Sequence, residues 1–181
     1  MFANVDDASF IPGRVDGMNN PRWLDEGEQR AWRSYLQMHG QLLARLNRQL
    51  QAESSLSLAD YEVLVTLSEV PAGRLRPFEL QRGLQWEQSR LSHQLRRMEH
   101  RGLVSREGCT DDGRGAFIVL TAAGRRAIEA AAPGHVDAVR RLFFDGLTAD
   151  QVTVLGQLST QVLDRLDRSP ECSRVTAEPE Q

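Results

Sequence analysis

The chain has 181 residues, a formal net charge of -3 and 40% hydrophobic residues, and all 22 basic residues are Arg. That length allows one or two domains and a core that needs no disulfide or metal to hold it. No apolar run approaches the ~20 residues that span a bilayer. The opening MFANVDDASFIPGR lacks the basic start and apolar stretch of a signal peptide. Two cysteines far apart, Cys109 and Cys172, form no framework, so a reducing cytoplasm is the expected setting.

Residues 1–22 hold Pro, Gly and Asn pairs without a period and read as a flexible arm. A first helix is expected from Asp25, where Glu28 three positions on completes a capping-box pattern. Trp32, Tyr35, Leu36, Leu42, Leu43, Leu46 and Leu50 form its apolar stripe. A second helix is expected from Ser57, with Asp60 in the box position, Tyr61, Leu64 and Leu67 inward, and an end before Pro71 and Gly73. Arg76-Pro77 opens a short third helix carrying Phe78, Leu80 and Leu84. After the break Gln85-Trp86-Glu87, a fourth helix puts Leu91, Leu95 and Met98 on one face and stops at Gly102.

The pattern then changes. Val104–Glu107 and Phe117–Leu120 read as short strands around the turn-rich GCTDDGRGA. Thr121 to about Phe144 reads as helix, with a kink expected at Pro133-Gly134. Thr148 and Gln151 make another capping box, and Val152, Leu155, Val162 and Leu166 mark a last amphipathic helix. Residues 169–181 read as a disordered tail.

Charge is unevenly spread. Arg74 to Arg126 carries a net +5 and the remainder a net -8, so an acidic protein holds a local basic surface suited to a polyanion. On the fourth helix Ser89, Arg90, His93, Arg96, Arg97 and His100 fall on the arc opposite the core, with Ser92 at its edge, and that arc holds no acid; Gln88, at the start of the helix, joins them as a candidate DNA contact. Such a face suits the DNA major groove. Arg can pair with guanine O6 and N7, and short Ser and His side chains let the helix approach. A short helix and a tight turn before it supply helix-turn-helix geometry. At the hairpin tip, Arg114 is placed to enter a minor groove, with Asp112 orienting it.

The run WEQSRLSHQLRRMEHRGLVSRE, followed by DDGRGAFIVLTAAGR, resembles the MarR family of bacterial transcriptional regulators over roughly Leu24 to Leu166. The resemblance implies a mainly α fold, with a winged helix-turn-helix DNA-binding lobe at about 57–120. Terminal helices at about 24–53 and 121–168 would form a dimerisation lobe, the two together making one domain over 23–168. It implies a homodimer on a pseudo-palindromic duplex, a repressor's role, no cofactor and no membrane. By motif position, base and groove contacts fall on Ser89, Arg90, Ser92, His93, Arg96 and Arg114. A small aromatic ligand would sit near Trp32, Tyr35, His39 and Tyr61, residues that also read as core. No Cys stands near the start of the first helix, where peroxide-sensing members carry theirs. Two other readings remain at this stage: a winged-helix protein-interaction module, and a thiol or metal sensor using Cys109 or the pair His93 and His100. No phosphate loop, GxSxG elbow or zinc-spaced His/Cys cluster points to an enzyme.

Overall fold

The computed structural model describes residues 22–108 and 116–168. The arm, the hairpin tip with Cys109, Asp112 and Arg114, and the tail with Cys172 lie outside the described residues. The chain order is α1 (Glu26–Ser54), α2 (Leu58–Glu69), β1 (Arg74–Leu75), α3 (Pro77–Leu84), α4 (Gln88–His100), β2 (Val104–Gly108), β3 (Ala116–Leu120), α5 (Ala122–Val139), a π-helical turn (Arg140–Phe144) and α6 (Ala149–Arg168).

Local chemistry explains where these helices begin. Glu28 N donates to Asp25 Oδ1 at 2.8 Å and Asp25 N to Glu28 Oε2 at 2.9 Å, so two amides that the first turn cannot satisfy find acceptors. Ser57 and Asp60 exchange the same reciprocal bonds at α2, as do Thr148 and Gln151 at α6. Pro77 at the first position of α3 has no amide to leave unsatisfied. Gln85 ends α3 in the left-handed region at φ 53°, which turns the chain sharply into α4.

Two compact units divide the chain at Met38 and His39, within the continuous α1. In the first, Trp32 and Tyr35 stack with ring centroids 5.7 Å apart, and Trp32, Tyr35 and Leu36 are exposed. In the second, one core joins Leu50 of α1, Val63, Leu64 and Leu67 of α2, Leu80 of α3, Leu91, Leu95 and Met98 of α4, and Ile118 and Leu120 of β3. Ile128 and Ala131 of α5 close it. The stripe of α1 is therefore split, with Leu46 and Leu50 buried and Leu43 exposed. No helix is long and apolar enough to cross a membrane among the described residues.

The sheet is antiparallel in the order β1-β3-β2. Val104 faces Leu120 and Glu107 faces Phe117 across the hairpin, while Arg74 faces Val119 across the β1–β3 pair. β1 is a third strand beyond the two expected from the sequence.

Three further details differ from the sequence expectation. Phe78 is 65% exposed. It stands two residues from Leu80, about 200° around the helix, so the two cannot share a buried face. α5 runs through Pro133-Gly134 to Val139. The irregular turn comes later, where Asp145 N donates to Arg140 O at 2.8 Å in the five-residue spacing of a π-turn. At Gly134 a Cβ would lie 2.7 Å from Glu53 Oε2 and 3.3 Å from Gln49 Nε2, so this glycine permits close approach of α5 to the end of α1.

Candidate nucleic-acid interface

The fourth helix presents the face that its sequence implies. Leu91, Gln94, Leu95 and Met98 are buried, while Gln88, Ser89, Arg90, Ser92, His93, Arg96, Arg97 and His100 are all exposed. Ser89, Arg90, His93, Arg96, Arg97 and His100 form the side opposite the core with no carboxylate among them; Gln88 and Ser92 lie toward its edge beside Glu99, which accepts from Arg106 Nε at 3.0 Å. This ion pair ties β2 to α4.

The orientation of α4 is set from below by Asp60, which is 3% exposed. Its carboxylate accepts from Gln94 Nε2 at 2.6 Å, Arg101 Nη1 at 2.7 Å, and Ser57 Oγ and N at 2.8 Å each. A buried carboxylate is costly unless its lone pairs are filled. Here donors from the start of α2, the middle of α4 and the residue after α4 fill them, so helix placement and charge satisfaction are one condition. Arg101 Nη2 also donates to Ser55 O at 2.7 Å. Arg97 donates to Gln94 Oε1, so this member of the expected DNA face is tethered toward the Asp60 network.

At the start of α4 the Arg90 guanidinium lies 4.1 Å from the Trp86 ring centroid. Trp86 is largely buried and fixed, so it supplies a platform that orients a planar cation. Glu62 of α2 also feels Arg90. Burial pushes the Glu62 carboxyl above its ordinary pKa, and the Arg90 charge pulls the other way.

The hairpin is anchored at its base by atoms that leave no room for alternatives. Thr121 Oγ1 donates to Gly102 O at 2.7 Å and accepts from Gly124 N at 2.9 Å, capping α5. A Cβ at Gly124 would stand 2.1 Å from Leu103 O, closer than any real contact, so glycine is required where α5 leaves the sheet. Asp112 and Arg114 belong to the tip outside the described residues.

Of the residues considered for a ligand, Trp32 and Tyr35 stack on each other, His39 is exposed, and Tyr61 packs on His135 with ring centroids 4.2 Å apart. His135 did not stand out in the sequence, since nothing local marks it as Tyr61's neighbour. Its Nδ1 and the nearby α1 residue's Gln49 Oε1 are buried without a hydrogen-bond partner. Burial holds the His135 pKa below its ordinary value and raises that of Tyr61. No group of three or more His, Cys, Asp or Glu side chains is placed to hold a metal ion among the described residues.

A three-stranded sheet behind a helix-turn-helix, with a hairpin beside the exposed helix, is the winged helix-turn-helix arrangement. Residues 56–115 match the MarR family. Over 80% of this chain and 94% of the other, the fold superposes with TM-score 0.75 and 43% identity on Sco3205 of Streptomyces coelicolor, a MarR family transcriptional regulator solved in complex with DNA. The chain belongs to the MarR family. AbsC, another Streptomyces coelicolor member, is 40% identical with TM-score 0.76 over 82% of this chain and all of its own. A Cys-to-Ser mutant of Escherichia coli MarR, solved with operator DNA, is 26% identical with TM-score 0.68 over 77% of this chain and 99% of its own. The transcriptional regulator HosA of Escherichia coli is 38% identical over 74 residues, 41% of this chain; the match spans about half, 54%, of HosA.

Proposed function

We propose that this MarR family member is a dimeric, sequence-specific DNA-binding regulator of the cytoplasm, acting as a repressor relieved by a small aromatic ligand. The observation that carries the reading is the acid-free, fully exposed face of α4, held in place by the buried Asp60 network. In this reading Arg90 and Arg96 make the leading contacts in the major groove, and Gln88, Ser89, Ser92, His93 and Arg97 flank them. Arg114 enters the minor groove and Asp112 orients it. The lobe at about 57–120 reads DNA. The helices at about 24–53 and 121–168 bind a second copy, whose own lobe meets a half-site about one helical turn away, roughly 10 base pairs.

Exposed apolar side chains support the dimer. Val154, Leu158, Val162, Leu163 and Leu166 of α6 are each at least half exposed, a stripe that water disfavours and a second copy would cover. For the ligand, the unpartnered His135 Nδ1 beside Tyr61 offers a polar atom to an aromatic compound. Its binding would stabilise a lobe spacing that no longer fits successive grooves. We assign the chain no catalytic step.

The test is fluorescence anisotropy with the duplex upstream of the chain's own gene, against a scrambled duplex, across a salt series. The expected result is tight, selective binding with a steep negative salt slope. Arg96→Ala should weaken operator binding by about 1–3 kcal/mol, and Arg114→Ala should weaken it at fixed salt. Weak binding to both duplexes, followed by an empty selection from a random duplex pool, would replace this reading with a winged-helix protein-interaction module.

A further inference from the structure

Arg90 differs from its neighbours on α4 in what lies beneath it. Its guanidinium carbon stands 4.1 Å from the centroid of the Trp86 ring. Arg96, on the same side of the helix, has no ring contact among the described residues. Sequence and turn geometry explain the stack. Arg90 is the third residue of α4, and Trp86 stands four residues before it, just ahead of the N-cap Glu87. Helical side chains lean toward the N-terminus, so a long side chain at Arg90 reaches back over the ring. The ring itself is fixed. It is 8% exposed and shares the core with Leu91, and the two occupy the N′ and N4 positions whose packing sets how a chain enters a helix. Trp86 N donates to Gln81 O at 3.2 Å, and Gln85 before it is held in the left-handed region. A rigid platform therefore sets the plane of an exposed cation. Glu62 of α2 lies within electrostatic reach of the same guanidinium, so a second element draws it to this spot.

The two kinds of DNA contact ask different things of an arginine. A phosphate accepts from many directions, so a swinging side chain serves it. A guanine edge accepts through O6 and N7 in one plane, and needs two parallel N–H groups placed there together. A ring under one face of the guanidinium fixes that plane and leaves the N–H edge able to donate. It also removes beforehand part of the rotamer freedom that an arginine loses on pairing. Position agrees, because residues near the start of a recognition helix reach base edges. We propose that Trp86 is the positioning residue for Arg90, and that the stacked guanidinium reads one guanine in each half-site. Arg96, without a platform, grips phosphate instead. The inference rests on the DNA-binding reading above and divides its two leading arginines by task, one specifying sequence and the other holding the backbone.

Anisotropy with the selected operator, its single base-pair variants and a random duplex tests it. In the wild type, replacing one particular G·C pair of a half-site should cost about 10-fold or more in affinity. R90K keeps the charge and loses the planar fork. It should bring that cost below about threefold while holding the random-duplex affinity and the salt slope. W86L should lower the discrimination at the same pair by about two- to fivefold, the worth of an exposed cation–π contact, and leave the other pairs unchanged. In an R90A background W86L should have no further effect at that pair, since Arg90 is what it acts through. W86F keeps a ring in the core and should fall between the wild type and W86L, which carries the test if W86L melts early. R96Q should weaken operator and random duplex by the same factor and flatten the slope of log K against log salt by about 0.9. A loss in W86L that is equal at every duplex, with and without Arg90, would make Trp86 structural only and overturn the positioning. Full discrimination at every pair in R90K overturns the guanine contact, and a loss in R96Q confined to one base pair overturns the division of tasks. A wild-type chain with no duplex binding overturns both this inference and the regulator reading.

Discussion

α4 and α6 are both amphipathic helices of similar make, yet they stand in opposite situations. α4 buries Leu91, Leu95 and Met98 in the chain's own core and shows water only polar and basic groups. α6 buries no residue at all and shows water a full apolar stripe. Burying such a side chain contributes about 1.5–3 kcal/mol, so α4 is stabilised within one chain while α6 waits for a second. The lesson is that an apolar face states a need for cover without stating where the cover comes from. In α4 it comes from α2, α3 and β2; in α6 we assign it to a partner copy.

The sharpest way to break this contrast is to charge the waiting stripe. Leu158→Arg with Val162→Arg should convert a dimer to a single chain of 20.4 kDa by light scattering. Operator affinity should fall by about 30-fold or more, the scale of a lost interface hot spot. An unchanged mass would end the dimer assignment for α6. Next in size is Asp60→Ala, which leaves Gln94 and Arg101 without their acceptor. It should cost about 2–4 kcal/mol in urea unfolding at fixed protein concentration, toward the lower end because the Arg101 side chain is 40% exposed. Gly124→Ala forces a methyl against Leu103 O and should cost about 1–3 kcal/mol by the same measurement, with the dimer mass unchanged.

The smallest effect is a pH dependence. Burial holds the folded-state pKa of His135 below 6.5, so as pH falls the unfolded chain takes up the proton first. The stability owed to the neutral ring is full above about pH 6.5 and is lost as pH falls from there through the lower folded value. Melting temperatures from pH 8 to pH 5 should fall less steeply for His135→Phe, which keeps a ring against Tyr61. Parallel curves for the two proteins would remove His135 from the account.

Much of the fold was legible in the sequence because its signals are local. The boxes at Asp25 and Glu28, Ser57 and Asp60, and Thr148 and Gln151 each span three residues, and all three form as expected. The exposed face of α4 follows from helical periodicity alone, and its eight residues are all at the surface. What was not legible is what depends on distant residues. Arg74-Leu75 is a strand only because β3, more than 40 residues on, pairs with it. Asp60 reads as a cap, but its partners Gln94 and Arg101 lie 34 and 41 residues away, so its role in orienting α4 has no local signature. The meeting of Arg74 and Arg76 over the Phe117 ring, at 4.8 Å and 4.6 Å from its centroid, was hidden for the same reason.

The π-turn at Arg140–Phe144 has a bearing on how the second half of the molecule is wired. A π-turn holds one more residue than the ladder around it, so every side chain after it is turned about 100° relative to an uninterrupted α-helix. Phe143 and Phe144, whose rings meet edge to face 5.1 Å apart, sit at this step. The turn therefore sets the phase of the two rings relative to α5, whose Ile128, Ala131 and Ala138 are buried. Removing a single residue between Arg140 and Phe144 should turn the residues that follow within this helical segment by about one residue's angle, upstream of the 145–148 link after which α6 makes its own start at the Thr148 and Gln151 box. Chain length at this one spot therefore sets which way the aromatic pair faces, adjustable by one codon without touching α4.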